Sequence, residues 1–174
     1  MNDIEHVLLN GSIAEIGALY RARWTSAVDA VSWFLARIER CKDLNAVRDI
    51  SEHALEDAKS ADHELAHGID HGPLHGIPVL LKDNILARGL RASAGARALA
   101  EFEPSRDATL VAKLRAAGAI VLGKTNMTEF ADYVSEVMPS EFSGAGGVVK
   151  NPHGIRYDRG QGSSVGSAAA VAAS

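Results

Sequence analysis

The sequence predicts an α/β fold, and three observations carry that expectation. Two short apolar runs of strand length, Ile77-Pro78-Val79-Leu80-Leu81 and Ala119-Ile120-Val121-Leu122, are separated by a stretch with helical spacing. Strands alternating with helices in this way imply at least one parallel strand pair. At 174 residues, with 47% apolar and 23% charged side chains, the chain suits one domain with a real core. It shows no internal repeat, no low-complexity linker and no interior boundary, so residues 1–174 read as a single unit.

The elements follow in order. Ser12 and Glu15 have capping-box spacing, and Ile13, Ile16 and Leu19 continue as a helix. Thr25 or Ser26 opens a second helix whose stripe is Val28, Val31, Leu35 and Ile38. Residues 44–50 read as a short strand. A third helix buries Ala54, Leu55, Ala58, Ala61 and Leu65 and stops at Gly68, so the N-terminal helices span 12–67. Gly72-Pro73 is a turn, and the strand within 76–84 delivers Lys82-Asp83-Asn84 at its C-terminal end. A helix–strand unit occupies 107–126, with Asp107 as the helix cap, Leu110, Val111 and Leu114 inside, and Gly118 closing. Asn126 and Glu129 cap a further helix through Tyr133. Residues 138–162 read as loop, and a glycine/serine turn at 160–164 runs into a helix of small residues.

Charge and composition exclude several classes. The balance of 18 basic against 22 acidic residues, −4, argues against a nucleic-acid surface, and no basic cluster reverses it. A single cysteine, Cys41, excludes an internal disulfide and reads as structural. No apolar run reaches the ~18 residues of a membrane span. The first residues lack the basic and apolar regions of a signal peptide, so the cytoplasm is expected.

Lys82 is the first candidate for chemistry. A lysine at the end of an apolar strand sits where α/β ligand sites form, and enclosure there lowers its pKa toward a usable base. The alternative is a lysine that reaches solvent and pairs with Asp83. Ser163 and Ser164 are the second candidate. They either cap the following helix or take part in nucleophilic chemistry with Lys82 as base. His63, His67, His71 and His75 recur every fourth position, but Gly68, Gly72 and Pro73 break the helix. At most His63 and His67 then share a face, and no cysteine or carboxylate pattern completes a zinc site, so no metal or other cofactor is expected. The turn spaces its glycines at 160, 162 and 166, matching neither a dinucleotide fingerprint nor a P-loop. An anion- or nucleotide-binding α/β domain remains a weaker alternative.

Taken together, three ordered segments resemble the amidase signature family. They are Gly72 through Asn84, Gly118 through Ala131, and Lys150-Asn151-Pro152 with Gly162-Ser163-Ser164 through Ala173. The resemblance implies the N-terminal part of that fold, a mixed β-sheet flanked by α-helices and incomplete. It further implies hydrolysis of carbon–nitrogen amide bonds by a Ser–cisSer–Lys triad. Lys82 would be the lysine and Ser163 the cis-serine, with Gly162, Ser164 and Gly166 shaping the turn and a cis peptide between Gly162 and Ser163. Gln161 and Val165 depart from the small residues the family more often carries there. The resemblance places the nucleophile and the oxyanion hole beyond position 174, since only eleven residues follow Ser163. The helix of small residues also stops without a closing glycine, so the chain reads as a truncated amidase, inactive or nearly so alone. The expected partner is a small-molecule amide in the complete protein. Exposed strand edges also invite self-association or pairing with a C-terminal segment, and a non-catalytic docking module is the other alternative.

Overall fold

The computed structural model describes residues 3–155 and 162–173. Its first layer is helical: α1 (Asp3–Asn10), α2 (Ile13–Arg21) and α3 (Ala27–Arg40). Ser12 caps α2 as its spacing predicts. Its hydroxyl accepts from Glu15 N–H, and the Glu15 carboxylate accepts from Ser12 N–H at 2.7 Å. Ser26, not Thr25, caps α3 and accepts from Asp29 N–H at 3.0 Å. The Asp62 carboxylate takes two further amides of the same helix end, Ala27 N–H and Val28 N–H, at 2.7 and 3.0 Å. A helix starts with unpaired donors, so this acid ties two helices together while satisfying them. The sequence pattern does not single out α1. It is held by burial of Leu8, with Ile4 and Val7 packed on the same core.

Leu44 lies in a short 3-10 turn (Lys42–Leu44), not in the strand, which is β1 (Val47–Ile50). Asn45, at φ 53°, makes the break. Next come α4 (Ala54–Ala66), β2 (Pro78–Lys82), α5 (Thr109–Ala116) and β3 (Ile120–Thr125). Asp107 does not cap α5: Ala108 holds that position without a side-chain bond. The Asp107 carboxylate instead accepts from Arg88 N–H at 2.7 Å and pairs with Arg115 at 3.2 Å. A guanidinium and a loop amide together offer a carboxylate more than one helix amide does.

The sheet has strand order β1-β3-β2. β2 and β3 run parallel, with Pro78 opposite Ile120 and Lys82 opposite Thr125, whereas β1 is antiparallel to β3. The sheet is therefore mixed, and β3 is buried along its whole length. Period-two alternation sorts its side chains. Ile120 and Leu122 face the α1–α4 layer, while Val121 packs with Leu81 and Val111 on the α5 side. Helices cover both faces.

The helix expected from Asn126 to Tyr133 is absent. A 3-10 turn (Glu129–Asp132) replaces it, with Phe130, Ala131 and Asp132 at φ 43°, 59° and 71°. Asn126 is occupied elsewhere: its side-chain amide donates to Asn45 O at 2.8 Å. The 138–162 stretch, read as loop, contains a small hairpin of β4 (Phe142–Ser143) and β5 (Gly147–Val148). Finally α6 (Val165–Ala172) packs against β1, β2 and β3.

Ile120 sits on the central strand and is almost fully buried. Ile120→Ala should lower stability by about 2–5 kcal/mol, while Leu110→Ala, on an exposed position, should stay within about 0.5 kcal/mol. Urea unfolding followed by circular dichroism checks this, and equal costs at the two positions would contradict the layer assignment.

Candidate active site

Two distant segments meet at the C-terminal end of the parallel pair. Lys82 is the last residue of β2, and Ser163 lies just before α6. Lys82 Nζ donates to Ser163 Oγ at 2.6 Å. The lysine is half-buried, not sealed, because its strand ends at the sheet margin. Burial pushes its pKa below the ordinary lysine range. Asp83 does not pair with it: its carboxylate turns into the buried interior, where the Ser93 hydroxyl and Gly95 N–H donate to it.

The turn that presents Ser163 is anchored from both sides. Thr128 N–H donates to Ser163 O at 3.1 Å, and Gly166 N–H donates to Asn126 O at 3.1 Å. Asn126 and Thr128 follow directly on β3, so the strand's exit holds the turn in place. Gly166 is needed for this approach: a Cβ there would lie 2.2 Å from Asn126 O and 2.6 Å from Ala46 O. Ser164 occupies the cap position of α6, but its hydroxyl makes no capping bond and the residue is exposed. Val165 is buried in the cluster with Ala46, Val149 and Ala169, which accommodates its larger side chain. Gly160 and Gln161 lie outside the described residues.

The Gly162–Ser163 peptide, expected to be cis, is trans; no cis bond occurs among the described residues. Trans is the lower state for a non-proline bond by about 2.5–4 kcal/mol. Here Gly162 turns the chain at φ 86°, a left-handed conformation that glycine adopts freely.

Behind Lys82 lies a buried charge cluster assembled from residues far apart in the sequence. Asp83 is fully buried, and its carboxylate accepts from the Ser93 hydroxyl and from Gly95 N–H at 3.2 Å. Arg48 NH1 approaches the other carboxylate oxygen at 3.5 Å, and Lys124 Nζ lies 3.9 Å away. Lys124 is also fully buried and donates to Ile85 O at 2.6 Å, Asp83 O at 3.3 Å and Arg91 O at 3.4 Å. Burial pushes its pKa down to about 8, against the opposing pull of Asp83. Lys124 thus fastens the loop after Lys82 to the central strand. The one detectable signal is a lysine inside an otherwise apolar strand, Ile120-Val121-Leu122-Gly123-Lys124.

The weaker alternative finds little here. A helix N-terminus binds an anion through free amides. In α6 the Gly166 amide is already taken by Asn126 O.

Two measurements bear on this geometry. With lysines 13C-methylated and followed by NMR, Lys82 should titrate below the ordinary lysine range; a titration within or above that range would contradict its enclosure. Gly166→Ala should destabilise the protein by roughly 1–3 kcal/mol through overpacking. A neutral effect would mean that the turn does not rest on Asn126.

The chain is similar to known proteins in both sequence and fold. The model of the amidase family matches residues 29–174. The chain is 44% identical over 163 residues to a glutamyl-tRNA(Gln) amidotransferase subunit of Burkholderia vietnamiensis, covering 93% of this chain and 32% of that protein. Among solved structures, native peptide amidase from Stenotrophomonas maltophilia superposes with a TM-score of 0.87 at 40% identity, over 94% of this chain and 34% of that one. An amidase family protein from Bacillus anthracis gives 0.87 at 34% identity, over 97% and 35%. The chain spans about a third of the length of the curated relatives it matches. By family match, sequence and fold, this chain belongs to the amidase family.

Proposed function

We propose that this chain is the lysine-bearing part of a hydrolase that cleaves carbon–nitrogen amide bonds, with Lys82 and Ser163 as its proton relay. The supporting observation is the 2.6 Å contact between Lys82 Nζ and Ser163 Oγ, residues far apart in sequence. Lowering of the Lys82 pKa by burial raises the neutral fraction that a base requires. When the amine is neutral the bond reverses, and the Ser163 hydroxyl donates to the Nζ lone pair.

The relay then runs first toward Lys82 and afterwards back. A nucleophilic serine passes its proton to Ser163 Oγ while Ser163 passes its own to Lys82 Nζ. The serine oxygen bonds to the amide carbon, and the tetrahedral adduct expels the amine, which takes the proton back through the same path; water, giving its proton to the same relay, then attacks the acyl-serine ester, and the acid leaves as the serine oxygen regains that proton. That nucleophile and the oxyanion donors belong beyond position 174, so the 174-residue chain by itself does not turn over amides. The buried Asp83–Lys124 cluster acts in positioning: it holds the backbone from which Lys82 projects. The relatives' names span a peptide amidase and an amidotransferase component. The substrate class proposed is linear amides.

The test compares the 174-residue chain with a version extended in frame, on a panel of primary and peptide amides. The extended protein should release amine, and the short chain should not. Lys82→Ala or Ser163→Ala in the extended protein should lower kcat by roughly 10²–10⁴. Wild-type turnover in Lys82→Ala would falsify the relay, and turnover by the short chain would overturn its inactivity.

A further inference from the structure

We infer that Glu64, His71 and His75 form a binding site for a divalent transition metal ion, zinc being the best fit, at the end of the sheet opposite Lys82. The three side chains each bring a ligand atom within 4.8 Å of the others. One carboxylate with two imidazoles is a donor set that zinc uses, and three protein ligands leave a fourth position for water.

Their placement is fixed by the fold, and spacing in the sequence conceals it. Glu64 projects from the last turn of α4, while His71 and His75 lie in the loop that returns to β2. Arg21 clamps that loop: its guanidinium donates to both Asp70 carboxylate oxygens at 2.8 and 2.9 Å and to Gly72 O at 2.8 Å. Gly118, at φ 78°, closes the other side, where a Cβ would lie 3.1 Å from His75 Nδ1 and 3.2 Å from His71 Cβ. The His71 and His75 rings stack with centroids 5.3 Å apart.

Hydrogen bonds set the tautomer that coordination needs. Ala61 O can only accept, so His75 Nε2, 2.9 Å away, carries the proton. The lone pair is then on Nδ1, which accepts a long bond of 3.3 Å from His71 N–H that an incoming ion displaces. A ligating histidine whose second nitrogen donates to a backbone carbonyl is the usual supporting arrangement. His71 Nε2 and Glu64 Oε2 already lie 3.2 Å apart. That is close to the roughly 3.3 Å between neighbouring donors at a tetrahedral zinc with ~2.0–2.1 Å bonds. Glu64 and His71 are half-exposed, which supplies both an entry path and the freedom to contract onto an ion. Arg115 lines the same cleft, but Asp57 and Asp107 draw its charge away at 3.6 and 3.2 Å.

The test is calorimetric titration of the 174-residue chain, stripped of metal, with Zn²⁺, and with Co²⁺ followed by visible absorption. One equivalent of Zn²⁺ should bind, and the Co²⁺ complex should show tetrahedral bands. His71→Ala and Glu64→Gln, both at half-exposed positions, should each weaken binding at least about tenfold. The double variant His63→Ala/His67→Ala should bind as wild type, although those rings also lie close, with centroids 4.2 Å apart. Millimolar or absent binding overturns the inference. So does binding that survives His71→Ala or Glu64→Gln, or that is lost with His63 and His67.

Discussion

The parallel ladder between β2 and β3 is the constraint from which the candidate site follows. It sets Lys82 opposite Thr125, so both strands end at one margin of the sheet. The chain leaving β3 then passes beside Lys82, and Asn126 and Thr128 supply a carbonyl acceptor and an amide donor to the incoming glycine/serine turn. A parallel pair requires a crossover, and α5 provides it while covering one face. The four N-terminal helices cover the other. Ser163 is thus brought to Lys82 by backbone hydrogen bonds before any side chain is considered.

Two lysines at that margin have opposite environments. Lys82 is half-buried against a hydroxyl, with only its enclosure shifting its pKa. Lys124 is sealed and surrounded by three carbonyls and a carboxylate, partners that suit an ammonium ion. The first lies within hydrogen-bond reach of a hydroxyl and gives up its proton more readily than an ordinary lysine. The second is a structural rivet whose removal would strand buried acceptors. Both come from short motifs of one residue pattern, apolar strand followed by lysine, and only their surroundings separate them.

The histidine arc makes the same point at the far end of the sheet. Every-fourth spacing suggests one helical face, yet the chain turns at Gly68 and Gly72, both at positive φ. After that turn His71 and His75 return beside Glu64, a residue that no periodic count connects to them. The Arg21–Asp70 pair that shapes the return is equally non-local.

Much of the architecture could be read from local chemistry. The Ser12–Glu15 box, the α3 stripe, the apolar strands and the stop at Gly118 are short-range signals, each complete within a few residues. The same locality misled at Asp107 and Asn126. Both have the right identity for a cap, but Arg88 with Arg115 and Asn45 offer them stronger partners across the fold. The trans bond before Ser163 departs from what the family pattern implied. The sequence alone determined the family and most of the helices and strands, since these depend on periodicity and short motifs. Only the tertiary structure decided which lysine meets a hydroxyl, which is locked away, and which histidines converge. Burial, pairing and pKa depend on neighbours that are distant along the chain and adjacent only once the sheet and its covering helices have formed.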